Sequence, residues 1–261
     1  MDQSVKNYWE ERAGQNQSSV TGTTNDVYLR ELEIRTFCDT LKNLGINENG
    51  NILDVGCGDG YTTLNIASNF PVNIFTGIDY SENMIANAKK NLQKSSCSNV
   101  NFKVADATKI SEYFEPSSFD FILSDRCLIN LETNINQYEA IKQISSLVKP
   151  GGYYIAIENF TEGQNNLNEA RKKMGLNEIP VRWHNLFFNE NEFVKNVRQW
   201  FRQVDFVEFS SAYYFATRVI YSALCKHRNV EPDYLDDIHK IAVDLPVIGQ
   251  YSPIRLVILK K

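Results

Sequence analysis

An apolar run at residues 51–55 contains Asp54 and leads into three glycines on alternate positions, Gly56, Gly58 and Gly60. A helical pattern through Leu64, Ile66 and Ala67 follows at once. Glycine admits positive φ and lets a ligand or another backbone come close. In an open α/β sheet the ligand sits outside the carboxyl ends of the strands. The stretch therefore predicts a strand, a ligand-facing loop and a helix in immediate succession.

The same rhythm continues to residue 160. Apolar, β-branched runs at 72–78, 100–105, 119–124 and 153–157 alternate with amphipathic stretches. An earlier helix from Val27 sets Ile34, Phe37, Cys38, Leu41 and Leu44 on one face and stops near Gly45. Ser81 is placed to cap a helix with Met84, Ile85, Ala88 and Leu92 inward. Thr133 or Asn134 caps another, with Ile135, Tyr138, Ile141, Ile144 and Leu147 inward, and "KPGG" ends it. Buried strands alternating with helices predict an α/β fold with a doubly wound, mostly parallel sheet and helices on both faces. Runs at 204–209 and 254–259 raise the count to seven strands, the last antiparallel. Three regions are expected: a flap at 1–26, an α/β core at 27–160, and a remainder at 161–261. The last supplies a cap with an insertion at about 211–249.

The loop's details exclude two common ligands. A nicotinamide fingerprint spaces its glycines G-x-G-x-x-G, whereas Tyr61 stands here where the third would fall. A phosphate loop needs Lys and Ser/Thr after its last glycine, and none is present. Asp54 and Asp59 flank the loop and would repel phosphates but receive an ammonium group. Asp79, at the end of the second strand, suits the two hydroxyls of a ribose. Asp106 and Ala107 follow the third strand and suit an adenine edge. The formal net charge of −5 argues against a default nucleic-acid binder. Five cysteines without a C-x-x-C pair suit reduced thiols rather than a zinc site. A polar N-terminus and the lack of any membrane-length apolar run give the expectation of a cytoplasmic protein without membrane contact.

"LDVGCGDG", "GIDYSENMI", "VADAT", "FDFILSDRCLINL" and "LVKPGGYYIAIEN" together resemble successive motifs of the class I S-adenosylmethionine-dependent methyltransferases. The resemblance is strong over 27–160 and implies a Rossmann-like fold. It also implies S-adenosylmethionine as cofactor and S-adenosylhomocysteine as its product. By that resemblance Asp54, Gly56, Cys57, Gly58 and Gly60 surround the methionine part. Asp79 holds the ribose, Tyr80 and Met84 pack near the adenine, and Asp106 and Ala107 read its edge. Asp125 or Arg126 lies near the amino acid and the methyl group.

Methyl transfer asks the protein to align the acceptor and, for a hydroxyl, to remove a proton. Asp125, Glu158 and His184 are the candidate bases. Glu158 and Asn159 end the fifth strand, and His184 sits in "RWHNLFF". Arg126, Arg182 and Arg218 suit an anionic acceptor. Trp9, Tyr28, Tyr213, Tyr214 and Tyr221 suit a roof, and Arg30 joins the acceptor-side candidates. "SDRCLIN" lacks an N/D-P-P-Y/F pattern, which disfavours methylation of nucleic-acid bases, and no metal spacing is found. "DRCLINL" and "RWHNLFF" further resemble bacterial small-molecule methyltransferases of surface-polysaccharide type. The expectation is O-methylation of a polar or anionic small molecule, such as a nucleotide-linked sugar or phosphoryl compound, by a monomer or homodimer. A small-molecule N-methyltransferase and a non-catalytic sulfonium-binding module are the alternatives.

Overall fold

The computed structural model describes residues 3–15, 22 and 24–261. Asn51–Val55 (β1) pairs in parallel with Ile74–Asp79 (β2) on one side and Phe119–Asp125 (β4) on the other. Val100–Val104 (β3) continues the first side, and Val148–Asn159 (β5) the second. Gln203–Val207 (β6) and Ile254–Lys260 (β7) complete the order β3-β2-β1-β4-β5-β7-β6. β7 is antiparallel to both neighbours and is wedged between β5 and β6. Chain order reverses between β1 and β4, which opens a crevice at their carboxyl ends.

Side-chain alternation along the strands builds two cores. Leu53, Val55, Tyr154 and Ala156 enter one, and Ile52, Ile155 and Ile157 the other. Asn134–Leu147 (α5) and Glu190–Val197 (α7) cover the first through Ile141, Ile144, Phe193 and Val197. Val27–Asn43 (α2) covers the second through Leu29, Phe37 and Leu41, with Ile66 of Tyr61–Ser68 (α3). Glu82–Lys94 (α4) lays Ile85 and Ala88 on Phe102. Asp26, Ser81 and Thr133 each accept an amide of the first turn that follows, which fixes where α2, α4 and α5 begin.

Several sequence expectations shift. "KPGG" does not end α5 in a loop. It lies inside β5 as an irregularity, with Gly151 at φ +81°, between the Phe119–Val148 and Phe121–Tyr153 pairs. The second strand starts at Ile74 rather than 72; Val72 and Ile74 are exposed, and the strand's burial begins at Phe75. Ile135, in the first turn of α5, is 80% exposed, and the helix's buried face begins at Gln137. In the expected flap, Gln3–Gln15 is a helix (α1) that lies on α4, with Asn83 donating to Glu10 and Asn87 to the Ala13 carbonyl. Positions 1, 2, 16–21 and 23 of that flap lie outside the described residues. Helices form where the sequence showed only mixed polar and aromatic pieces: Thr161–Lys173 (α6), Ser211–Tyr214 (α8), Ser222–Arg228 (α9) and Asp237–Ala242 (α10). A π-helical stretch, Phe215–Tyr221, joins α8 to α9. No helix among the described residues is long and apolar enough to cross a membrane.

Candidate active site

The carboxyl ends of β1, β2 and β4 meet at a cavity of about 470 Å³. Gly56, Gly58 and Gly60 all take positive φ, at 76°, 54° and 76°. Two of them are bare for different reasons. A Cβ on Gly56 would stand 2.3 Å from Sγ of Cys127, so this glycine lets the loops after β1 and β4 touch. A Cβ on Gly60 would meet Phe102 at 2.6 Å, so Gly60 serves helix packing and does not line the cavity.

Asp79 turns one carboxylate oxygen to the Gly58 amide at 3.0 Å and the other to the Ser81 amide at 2.9 Å. A carboxylate oxygen accepts more than one donor, so both keep capacity for a ligand. Burial pushes Asp79 up to about 6, against those two amides. Asp54 is also buried; it accepts from the Thr63 hydroxyl and is pushed up to about 7. Oδ1 of Asp125 is buried without a hydrogen bond, its nearest cation being Nε of Arg126 at 3.5 Å. Arg126 holds φ +49°, an unusual conformation for a side-chain-bearing residue. Strain of this kind gathers at functional sites. Its Nη2 meets Oε2 of the fully buried Glu33 at 3.0 Å.

Most of the candidates named from sequence line this one cavity. Cys57, Tyr80, Met84 and Ala107 line it, and so do Trp9, Asn159, Arg182, His184, Tyr214 and Arg218. Arg30 is on the wall too, with Nη2 3.2 Å from Oδ1 of Asp59 and its guanidinium 4.4 Å over the Tyr61 ring.

Five further candidates take other places. Glu158 is fully buried and faces the first core, where its carboxylate accepts from the Leu128 amide, the Ser124 hydroxyl and the Ile129 amide. It is fully buried and does not line the cavity, so it fixes the loop after β4 instead of reaching a substrate proton. Asp106 gives Oδ1 to the amide and hydroxyl of Thr108 and caps a short 3-10 turn; its neighbour Ala107 lines the cavity. Tyr213 is buried and donates to Asp26, with its hydroxyl 2.8 Å from Nδ1 of His239. Tyr28 packs at the edge of the second core, and Tyr221 edges against His239 outside the cavity.

Buried carboxyls whose hydrogen bonds and ion pairs do not offset their desolvation bear on stability. Glu33 is pushed up to about 8 and Glu158 to about 7, in both by burial first. With Asp54 and Asp79, each has a folded-state value above its ordinary 3.8 or 4.5. Below those ordinary values both states hold the proton and the contribution is intact. As pH rises towards the folded-state value, only the unfolded chain has released its proton, and stability falls by about 1.4 kcal/mol per pH unit per group. Urea unfolding is therefore expected at lower midpoints near pH 8 than near pH 5. A midpoint that climbs over this range would contradict the burial of these groups.

A family model described as a methyltransferase domain matches residues 46–212. The chain belongs to this family. Among curated relatives, demethylmenaquinone methyltransferase of Leptospira interrogans is 34% identical over 108 residues, 41% of this chain and 42% of that protein. The enzyme of the same name from Staphylococcus aureus is 32% identical over 119 residues, 45% of this chain and 46% of that protein. The match thus spans less than half the length of these relatives. Among solved structures, magnesium protoporphyrin IX methyltransferase from Synechocystis, with bound SAH, superposes at a TM-score of 0.59 and 14% identity. That match covers 100% of this chain and 95% of that one, and it shows a shared fold.

This member of the methyltransferase-domain family also uses residues that its sequence did not announce. Asp26 lines the cavity while capping α2 and pairing with Arg218. Asn130 accepts from the Trp9 indole at 3.3 Å and donates to the Arg126 carbonyl at 2.8 Å, linking α1 to the loop after β4. Arg12, Asn185 and Tyr234 are also on the wall. Among the described residues, no group of His, Cys, Asp and Glu is placed to hold a metal ion.

Proposed function

We propose that this chain transfers the methyl group of S-adenosylmethionine to a hydroxyl of a small-molecule acceptor. The observation that supports this most is the convergence of Asp54, Asp79 and Asp125 with the positive-φ glycine loop on one cavity. The wall fits that cofactor: Asp79 has acceptor capacity for ribose hydroxyls, Asp125 keeps a buried oxygen without a hydrogen bond, and Tyr80, Met84 and Ala107 form a flat apolar slot. When bound, the cofactor supplies an electrophilic methyl group on a sulfonium. Asp54 and Asp125 hold the cationic amino-acid end by charge, and Asn159 and Tyr214 help orient the acceptor. His184, on the same cavity's wall, receives the hydroxyl proton.

The cavity's electrostatics refine the acceptor. Arg30, Arg126 and Arg218 are each matched to a carboxylate, namely Asp59, Glu33 and Asp26. A nucleotide-linked sugar would bring two phosphates to a wall whose arginines are largely spent, so a neutral or singly charged acceptor fits better. Nothing in this wall selects a saccharide, and the surface-polysaccharide setting has no support from it. Leu167, Ile179, Pro180 and Phe187 add an apolar arm. That arm favours, as a second reading, a ring-bearing acceptor of the kind in the Leptospira relative's name.

Calorimetry with S-adenosylmethionine and S-adenosylhomocysteine tests the cofactor reading, and labelled methyl transfer into small-metabolite fractions tests the reaction. Asp79→Ala is expected to cost about 1.5–3 kcal/mol of affinity, roughly 10- to 150-fold in Kd. Unchanged affinity would remove Asp79 from the ribose position.

A further inference from the structure

Each of the three arginines deepest in the wall has its own carboxylate. Two others do not. Arg12 of α1 donates Nε–H to the Gly22 carbonyl at 2.9 Å, and Arg182 lies two residues before His184. Among the described residues neither has a carboxylate within ion-pair distance. Both line the cavity together with His184.

Helix α1 brings Arg12 to that place. Tyr8 stacks on the His184 ring with centroids 4.4 Å apart, and Trp9 meets the ring edge-on at 6.0 Å. Arg12 is one helical turn further along the same face. Trp183 meets the imidazole edge-on at 5.2 Å and the Tyr8 ring edge-on at 5.9 Å. The cavity wall thus holds two guanidiniums whose charge reaches a buried, aromatic-packed imidazole, in a chain of net charge −5 that matches its other wall arginines one to one. Like charges gathered without a partner cost Coulomb energy that a bound anion would reverse. A guanidinium presents a planar fork that fits carboxylate or phosphate oxygens in bidentate fashion.

We propose that Arg12 and Arg182 form an oxyanion subsite on the cavity wall, which takes a single carboxylate or phosphate group on the methyl acceptor. The subsite rests on the reading of this cavity as a methyl-transfer site. It makes α1 part of acceptor recognition, since one of the two cations comes from that helix. It also couples the anion to His184, whose pKa is held below its ordinary value by burial, Arg182 and Arg12.

The chain's three histidines, His184, His227 and His239, allow a direct test by imidazole NMR on the full chain. Inorganic phosphate and, separately, acetate are titrated with S-adenosylhomocysteine present. The expected result is a saturable response of His184 with its pKa rising by about one unit, while His227 stays still. Arg12→Gln and Arg182→Gln should each remove the rise, and Arg198→Gln on the exposed end of α7 should keep it. A response to phosphate alone assigns the anion as phosphate, and a response to acetate assigns a carboxylate. S-adenosylhomocysteine affinity is measured by calorimetry on the same samples. Its absence rejects the methyl-transfer reading. Normal affinity with an unmoved His184, or a rise that survives both substitutions, overturns the subsite alone.

Discussion

Gly56→Ala is expected to lower affinity for S-adenosylhomocysteine by about 10²–10³-fold and to destabilise the fold as well. Two costs combine. The position holds φ +76°, which an alanine tolerates at a cost of roughly 1–2 kcal/mol. The new Cβ would then stand 2.3 Å from Sγ and 2.6 Å from Cβ of Cys127. Relief requires moving the loop after β1 or the loop after β4, at about 1–3 kcal/mol for an overpacked contact. Those loops are the two walls of the cavity, so relief in either direction spoils the site. The sum, about 2–5 kcal/mol, corresponds to a factor of roughly 30 to several thousand. Gly151→Ala is the matched control, since that glycine has φ +81° but nothing within 4 Å of a new Cβ. It should lose stability only, with affinity kept. Gly56→Ala combined with Cys127→Gly removes both overlapping atoms, Sγ and Cβ, and should recover the packing part of the loss, leaving the φ cost. Full affinity in Gly56→Ala would mean that this loop is not a wall of the cofactor site.

The glycine loop, Asp54 and Asp79 were legible because their meaning is local. Each sits at a strand end, and strand ends in a parallel sheet point to one crevice whatever the rest of the chain does. Glu158 was legible as a strand-end carboxylate, but not in its direction. Tyr154, Ala156 and Glu158 share one face of β5, and the burial of Tyr154 settles where Glu158 goes. Counting the alternation back from Asn159, which does line the cavity, is the signal that separates the two. Asp26, Glu33 and Arg12 were not legible as site residues. Their roles depend on pairings with Arg218, Arg126 and the loop around His184, across 192, 93 and more than 160 residues of chain. The cap helices beyond residue 160 escaped notice for a related reason. α9 and α10 keep many apolar residues exposed, Leu224 and Ile241 among them, so no clean 3.6-residue stripe marks them.

His184→Gln is expected to lower kcat by about 10²–10⁴-fold on a hydroxyl acceptor, the usual span for loss of a general base. The pH dependence distinguishes this from lost packing. Burial, Arg182 and Arg12 hold the His184 pKa below 6.5, so the unprotonated, proton-accepting form dominates at neutral pH. Among the described residues, the groups facing the ring include no carboxylate: Tyr8, Trp9 and Arg12 approach from α1, and Arg182 and Trp183 from its own loop. The wild-type rate should therefore be flat around neutrality and fall only on an acid limb below the ordinary histidine value. Arg182→Gln removes a positive charge and lets the pKa recover, so its acid limb should move to higher pH. His184→Gln should lose the limb altogether. If the acceptor carries an anion into the Arg12–Arg182 subsite, the same logic splits two profiles of the wild type. The free enzyme, read from kcat/KM, titrates with both cations uncompensated, whereas the complex, read from kcat, titrates with them neutralised. The kcat limb should thus lie at higher pH than the kcat/KM limb. A rate unaffected by His184→Gln would instead assign an acceptor that needs no deprotonation, an amine with a free lone pair foremost.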